Sequence, residues 1–353
     1  MKRSTSAKRR MLLALGAPLL SAVGLAQTPT FSVQLLGNIS GGAVAFVAGI
    51  NEAGEAVGSA GEGTSVCPSN CAVIWHDGTP TPLALEAALY SDAVAINNAG
   101  QVVGTVFTIN ATGARQSTAV VWNNGTPTLL PGPAPQYINT SANAINDAGQ
   151  VAGYAAESGG VGIEAIEWNG VTPTVLGMDA DCAAGSYATA INSHGSVAGL
   201  TICPPNNQAT LWRGTTPMLL GAVGGIGKPN AINDAGLIVG LGRYGATAWV
   251  DGVVRHLGTM STATAVNNRG IIVGKVPGNR LSYHAAFWSS VSAAPQDLNK
   301  LIGTAAGEYV LTEATGINDS CTIVANGFVI KNSGATVAFL LKPLDPSSCA
   351  KGL

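Results

Sequence analysis

Apolar residues alternate with small or polar ones in short runs along the chain, and each run stops at a turn signal. The clearest case is Ala144-Ile145-Asn146-Asp147-Ala148-Gly149-Gln150-Val151-Ala152-Gly153. A short apolar run enters, Asn-x-x-Gly reverses it, and the alternation resumes. Such a pattern predicts two antiparallel strands joined by a tight turn. Asn at the first turn position can cap the turn with its side-chain oxygen, and Gly in the left-handed conformation returns the chain. A second hairpin is predicted at Ala119–Leu130, where Asn124-Gly125 makes the turn and Pro127 opens the return strand, a tolerated place. Equivalent turns are Asp77-Gly78, Asn169-Gly170, Arg213-Gly214 and Asp251-Gly252.

The first hairpin recurs seven times, at Asn51, Asn97, Asn146, Asn192, Asn233, Asn267 and Asn318. The spacings are 46, 49, 46, 41, 34 and 51 residues. All six Trp fall at a similar place in the unit, following their Asn by 24, 25, 22, 20, 16 and 21 positions. A strand-rich unit of roughly 40–45 residues is the size of one four-stranded propeller blade. The chain is therefore expected to be all-β, a seven-bladed β-propeller in one domain over residues 27–344. A β-solenoid is the alternative, weakened by the uneven unit length. We label the strands of a unit a (ending at the Asn), b, c (ending at the Trp) and d (Leu-rich). Phe31–Gly37 has the pattern of strand d, like Met218–Gly221, whereas the last unit has strand c at Thr336–Leu341 and no strand d. The N-terminal strand is thus expected to close the ring, with Val33–Leu36 antiparallel to Val337–Leu341 and no open sheet edge left. The repeated Asn and Trp read as turn chemistry and inter-blade packing, not as ligands.

His284-Ala285-Ala286-Phe287-Trp288, the partial match Val337-Ala338-Phe339 and the run Asp297-Leu298-Asn299 carry a resemblance to the HAF-family extracellular repeat. It covers roughly residues 31–344. The resemblance implies export and says little about activity. Most units replace the His. The seventh reads Asn318-Asp319-Ser320-Cys321, with Cys at the turn Gly, so that turn is expected to be reshaped or held by a disulfide.

Residues 1–26 read as a signal peptide: Lys2, Arg3, Lys8, Arg9 and Arg10, then an apolar stretch from Met11 to Leu25, then the small exit Gly24-Leu25-Ala26. The protein is expected to be secreted or periplasmic, with residues 345–353 as a C-terminal tail. No later apolar run is long enough to span a bilayer. Only 10% of residues are charged, well below the usual soluble protein, and the 46 Gly fit an extracellular all-β chain. A net charge of −2 gives no electrostatic case for nucleic acid. Six Cys in an exported chain suggest three disulfides, and the spacing favours Cys67–Cys71, Cys182–Cys203 and Cys321–Cys349. No zinc quartet can be assembled from the cysteines and histidines.

Function is expected on the face that carries the b–c and d–a connections, because those vary in length while the a–b and c–d turns are tight. All seven Tyr fall in or beside those connections. The candidate ligand-face residues are Tyr90, Tyr137, Tyr187, Tyr244, Arg280, Tyr283 and Tyr309, with Tyr154 nearby. No catalytic, cofactor or metal residues are assigned. Gly240-Leu241-Gly242-Arg243-Tyr244-Gly245 matches a dinucleotide fingerprint but has no following helix. Asp179 and Asp181 lack the other ligands of a calcium loop. The favoured reading is a monomeric, non-catalytic binding or surface module for a protein or carbohydrate. The alternative is a propeller hydrolase or lyase acting on polysaccharide, with Asp92, Asp179, Asp181, Glu308 and Glu313 as acids by position alone.

Overall fold

The computed structural model describes residues 30–345, apart from 40, 41, 43, 62–68, 84, 86, 87, 111, 112, 161, 183, 222–225, 279–281 and 333. Strands a of the seven units are Ala45–Ile50, Tyr90–Ile96, Asn139–Ile145, Ser186–Ile191, Gly227–Ile232, Thr262–Val266 and Tyr309–Ile317. Each opens a four-stranded antiparallel sheet in the order a-b-c-d. Strand a of every unit touches that of the next, and the seventh touches the first. The strands a therefore surround a central channel, and the molecule is a seven-bladed β-propeller. A solenoid is excluded because its first and last units would not be neighbours.

The turn Asn does two jobs. In the third blade the Gln150 N–H donates to Asn146 Oδ1 at 3.0 Å, and the Gly149 N–H donates to the Asn146 carbonyl at 3.0 Å. That is the expected turn, with Gly149 at φ 78°. The amide end of the same side chain then crosses to the next blade, where Asn146 Nδ2 donates to the Asn192 carbonyl at 3.0 Å. Asn51, Asn97, Asn192, Asn233 and Asn267 repeat that bond to the following turn Asn. Asn318 Nδ2 returns to the Asn51 carbonyl at 3.1 Å, so the seven bonds form a closed circle. The seventh turn keeps its shape despite lacking Gly. Cys321 takes φ 60°, donates to the Asn318 carbonyl at 3.0 Å and is disulfide-bonded. Placing a side chain there costs about 1–2 kcal/mol.

The hydrophobic core is divided into seven parts, each between two adjacent blades. In six of them a Trp of one blade packs, fully buried, against the blade before it. Five of these indoles donate to a carbonyl at or just after the preceding strand d: Trp75 to Gly37, Trp168 to Pro131, Trp212 to Gly177, Trp249 to Gly221 and Trp288 to Leu257. Leu341 occupies the equivalent place in blade 7, pairing with Ile323 as each Trp pairs with the strand-b residue five positions after its turn Asn.

Blade 7 is completed from the other end of the chain. Phe31–Leu35 runs antiparallel to Phe339–Pro343, with Val33 opposite Leu341. The clasp forms as expected, with the pairing starting two residues earlier on the N-terminal strand and reaching two residues further along its partner. Phe31 sits in the blade 6–7 core and Leu36 in the blade 7–1 core, so the strand joins two of the seven clusters. Gly37, just past it, receives the Trp75 indole bond as any strand-d end would.

Cys182 and Cys203 form the expected disulfide, tying the connection that enters blade 4 to the end of its strand b. Cys71 is disulfide-bonded too. The partners expected for Cys71 and Cys321, Cys67 and Cys349, lie outside the described residues, as do residues 1–26 and the tail beyond 345. No described helix is long and apolar enough to cross a membrane.

Candidate functional site

The a–b and c–d turns share one face of the ring, the turn face, and the b–c and d–a connections share the other, the loop face. Around the channel mouth on the loop face lie the residues five positions before each turn Asn: Phe46, Asp92, Ser141, Tyr187, Lys228, Thr262 and Glu313. Their mixture contrasts with the small buried residues one position later, such as Ala93, Ala142, Ala188 and Ala263, which pack between blades. A glycine on strand b enforces close approach here: a Cβ on Gly104 would collide with the Asp92 carbonyl.

Two carboxylates stand at this mouth, and both have partners. Asp92 accepts the Thr105 N–H at 3.0 Å, and the Thr105 hydroxyl meets Ser141 Oγ at 2.9 Å. Burial holds the Asp92 carboxyl above its ordinary range, against the lowering effect of that N–H. Glu313 pairs with Lys275 Nζ at 3.0 Å, and the same ammonium lies 5.3 Å from the Tyr283 ring centre. Asp179 closes a small turn instead, accepting the Asp181 N–H at 3.1 Å. Glu308 caps a 3-10 turn before strand a of blade 7.

The aromatic candidates divide by burial. Tyr90 opens strand a of blade 2 and stacks on Phe107 at 4.1 Å, with planes 15° apart. Tyr187 in blade 4 meets Tyr154 of blade 3 edge-on at 5.0 Å. Tyr137 packs against the blade 2–3 core, where burial and the Glu164 carboxylate push its hydroxyl up to about 12. Tyr309 lies 5.2 Å from Phe339 and belongs largely to the blade 6–7 core. Tyr244 and Tyr283 are the open ones, at 55% and 43% exposure, and Arg243 approaches the Tyr244 ring at 6.0 Å. Arg280 lies outside the described residues. Gly240, Gly242 and Gly245 sit in the b–c hairpin of blade 5, with no helix after them.

The channel mouth on the turn face differs in chemistry. Six of the residues that follow a turn Asn line it, and four of these are acids: Glu52, Asp147, Asp234 and Asp319. They accept backbone N–H groups of neighbouring turns, as Asp147 does from Asn98 at 2.8 Å and Glu52 from Asp319 at 2.9 Å. Burial raises Glu52, with Asp319 and Asp147 adding to the effect. At Asp234 burial is outweighed by hydrogen bonds from Ser193 and Asn268, and its carboxyl is lowered. Among the described residues no group of three or more His, Cys, Asp or Glu is arranged to hold a metal ion.

No protein-family model matches this sequence, and no curated protein does. Solved structures resemble it in fold. TolB from Acinetobacter baumannii has 10% identity and a TM-score of 0.39, over 83% of this chain and 64% of that one. An acylaminoacyl peptidase from Pyrococcus horikoshii has 11% and 0.45, over 91% and 53%. A Trypanosoma rangeli sialidase in complex with the inhibitor DANA has 12% and 0.44, over 92% and 56%. The chain spans less than two thirds of each of these chains.

The residue numbering relative to the turn Asn, applied to the sequence, would have assembled the loop-face mouth. The aromatic reading singled out Tyr by type and so passed over Phe46, Phe107 and Lys228.

Proposed function

We propose that the protein is an exported, HAF-type repeat protein that binds a protein or carbohydrate partner through its loop face without catalysis. One observation carries this reading. Blades 2 to 7 each hold a Tyr at or near the loop-face ends of their strands, on a scaffold whose inner strands are locked by a closed hydrogen-bond circle. Stiff, amphipathic side chains on a rigid base bind with little loss of conformational entropy. The carboxylates of the same mouth support binding over chemistry, since Glu313 is neutralised by Lys275 and Asp92 is engaged by the backbone. The Cys182–Cys203 disulfide fits an oxidising compartment.

The test is a glycan array and a pull-down from the exporting cell's envelope and medium, run with the parent and with Tyr244→Ala/Tyr283→Ala. These two side chains are exposed, so their removal leaves the fold intact. A partner retained by the parent and weakened tenfold or more by the double variant, about 1.4 kcal/mol, is the expected result. Equal retention by both would sink the loop-face reading. Turnover of a polysaccharide that Asp92→Asn abolishes would replace it with the hydrolase or lyase.

A further inference from the structure

One groove on the opposite, turn face departs from the repeat in its chemistry. Between blades 1 and 2 a cavity of about 410 Å³ is floored by Ile74, Leu83, Val102 and Trp122 and edged by Glu55 and His76. That volume lies within the range of small-ligand sites, roughly 300–1,000 Å³. His76 Nδ1 lies 3.0 Å from Glu55 Oε1, and Glu55 Oε2 accepts Asn51 Nδ2 at 2.7 Å. A neutral ring that donates its Nδ1 proton to Glu55 presents Nε2 as a lone-pair acceptor. The groove thus combines apolar walls, a carboxylate and an imidazole, and among the described residues no Lys or Arg lines it. Among the described residues, Trp122 is also the one repeat tryptophan whose indole N–H has no acceptor.

The molecule supplies its own comparison. The equivalent groove between blades 5 and 6 has about 260 Å³. Counting from the turn Asn and from the Trp, Leu237 stands where Glu55 does, and Val250 stands where His76 does. Arg269 of the next turn stands where Ala99 does. The scaffold therefore does not need an acid and a histidine at these positions, and one groove carries its own cation while the other, among the described residues, has none. A ligand that satisfies the blade 1–2 groove brings a positive head on an apolar stem.

We propose that the groove between blades 1 and 2 is a binding site for a primary alkylammonium group, as on a lysine side chain or a free aliphatic diamine. The stem lies along Ile74, Leu83 and Val102. The ammonium meets Glu55 and donates to His76 Nε2. The site is on the face away from the proposed partner surface and stands independently of it.

The test is an NMR titration of the full chain, following the His76 ring and Trp122 indole signals. The probes are N-acetyl-lysine methylamide, 1,5-diaminopentane and N-acetyl-norleucine methylamide. Saturable shifts with the lysine amide or the diamine, and none with norleucine at equal concentration, are expected. The tighter of the two cationic probes identifies the source. Glu55→Leu/His76→Val makes this groove like that of blades 5 and 6, a combination the fold already tolerates, and should weaken binding at least tenfold. Ala99→Arg should do the same by supplying an internal cation, and it serves as the second variant if the first fails to fold. Norleucine binding as well as lysine, no saturable shift with any probe, or undiminished binding by a folded variant would each overturn the proposal.

Discussion

Replacing Asn146 separates two accounts of the repeated asparagine. If it only made the turn, Asp would serve as well, since Asp and Asn are both favoured at the first position of a type I turn. The structure adds the second bond. Asn146 Nδ2 donates to the Asn192 carbonyl at 3.0 Å and to Gln150 Oε1 at 2.8 Å, with the side chain nearly buried. Asn146→Asp keeps the acceptor for the Gln150 N–H but sets a carboxylate oxygen against those two oxygens. Asn146→Ala removes all three bonds, leaving the Gln150 N–H unmatched and the Asn192 carbonyl with only its bond from the Gly195 N–H. A lost bond costs about 0.5–1.5 kcal/mol net, and an unmatched buried group about 1–3 kcal/mol. The Gln150 end is half-open to water, so the lower part of the range applies there, and a total of about 3 kcal/mol follows. For a domain of this size the melting temperature falls by roughly 2 °C per kcal/mol, so about 6 °C is expected for Ala. Asp should lose at least as much at neutral pH and regain part of it in acid, where its protonated form can donate. Thermal unfolding followed by calorimetry gives both numbers. An Asp variant that melts with the parent would show that the inter-blade bond contributes nothing and that the circle is incidental.

Three further outcomes are expected. Deleting residues 27–37 removes the clasp strand and with it buried Phe31 and Leu36, at about 1.5–3 kcal/mol each, so the truncated chain should melt lower and aggregate through the bared edge of Val337–Pro343; light scattering on heating reads this, and unchanged melting would contradict it. Burial raises Asp92, so its charge opposes folding at neutral pH and this penalty fades as pH falls through its folded value; Asp92→Asn, which keeps an acceptor for Thr105, should melt above the parent at pH 7 and converge with it in acid. Asp297 runs the other way: burial is outweighed by hydrogen bonds from His284 and Asn299, its carboxyl is lowered, and its contribution is present above the unfolded value near 3.9 and lost as pH falls through the folded one. His284→Phe, removing the 2.8 Å bond, should flatten that acid limb in a stability-versus-pH series, and an unchanged limb would assign it to other carboxylates.

Strand count, turn type, the clasp and the Cys182–Cys203 bridge were legible because each depends on local chemistry repeated at fixed places. Asn-x-x-Gly writes the turn into adjacent residues, and the d-like pattern of Phe31–Gly37 marks a strand whose partner is missing from the other end. What crosses between strands and between blades was not legible. The Asn146–Asn192 bond spans 46 residues, and Glu55 and His76 are 21 apart in sequence yet face each other only because Ala56 pairs with Trp75. Periodicity fixes which residues share a strand, whereas cross-strand register fixes which side chains meet. The Tyr set shows the limit from the other side: residue type and loop position brought together Tyr309, which is largely core, and Tyr283, which is open.

The absence of a seventh Trp follows from the same register. Five of the six indole N–H groups use the carbonyl at or just after the preceding strand d, because a buried donor without a partner is costly. Blade 7 would draw that carbonyl from blade 6. There strand d is only Gln296–Asp297, and the chain turns at once into the 3-10 segment Leu298–Lys300. Leu298, Leu301 and Ile302 fill the space between the two blades instead. Leu341 packs in that apolar cluster without a polar atom to satisfy, and the break in the Trp series coincides with the shortened strand beside it. The His284–Asp297 bond then holds that short strand to strand c, where the blade has least backbone pairing.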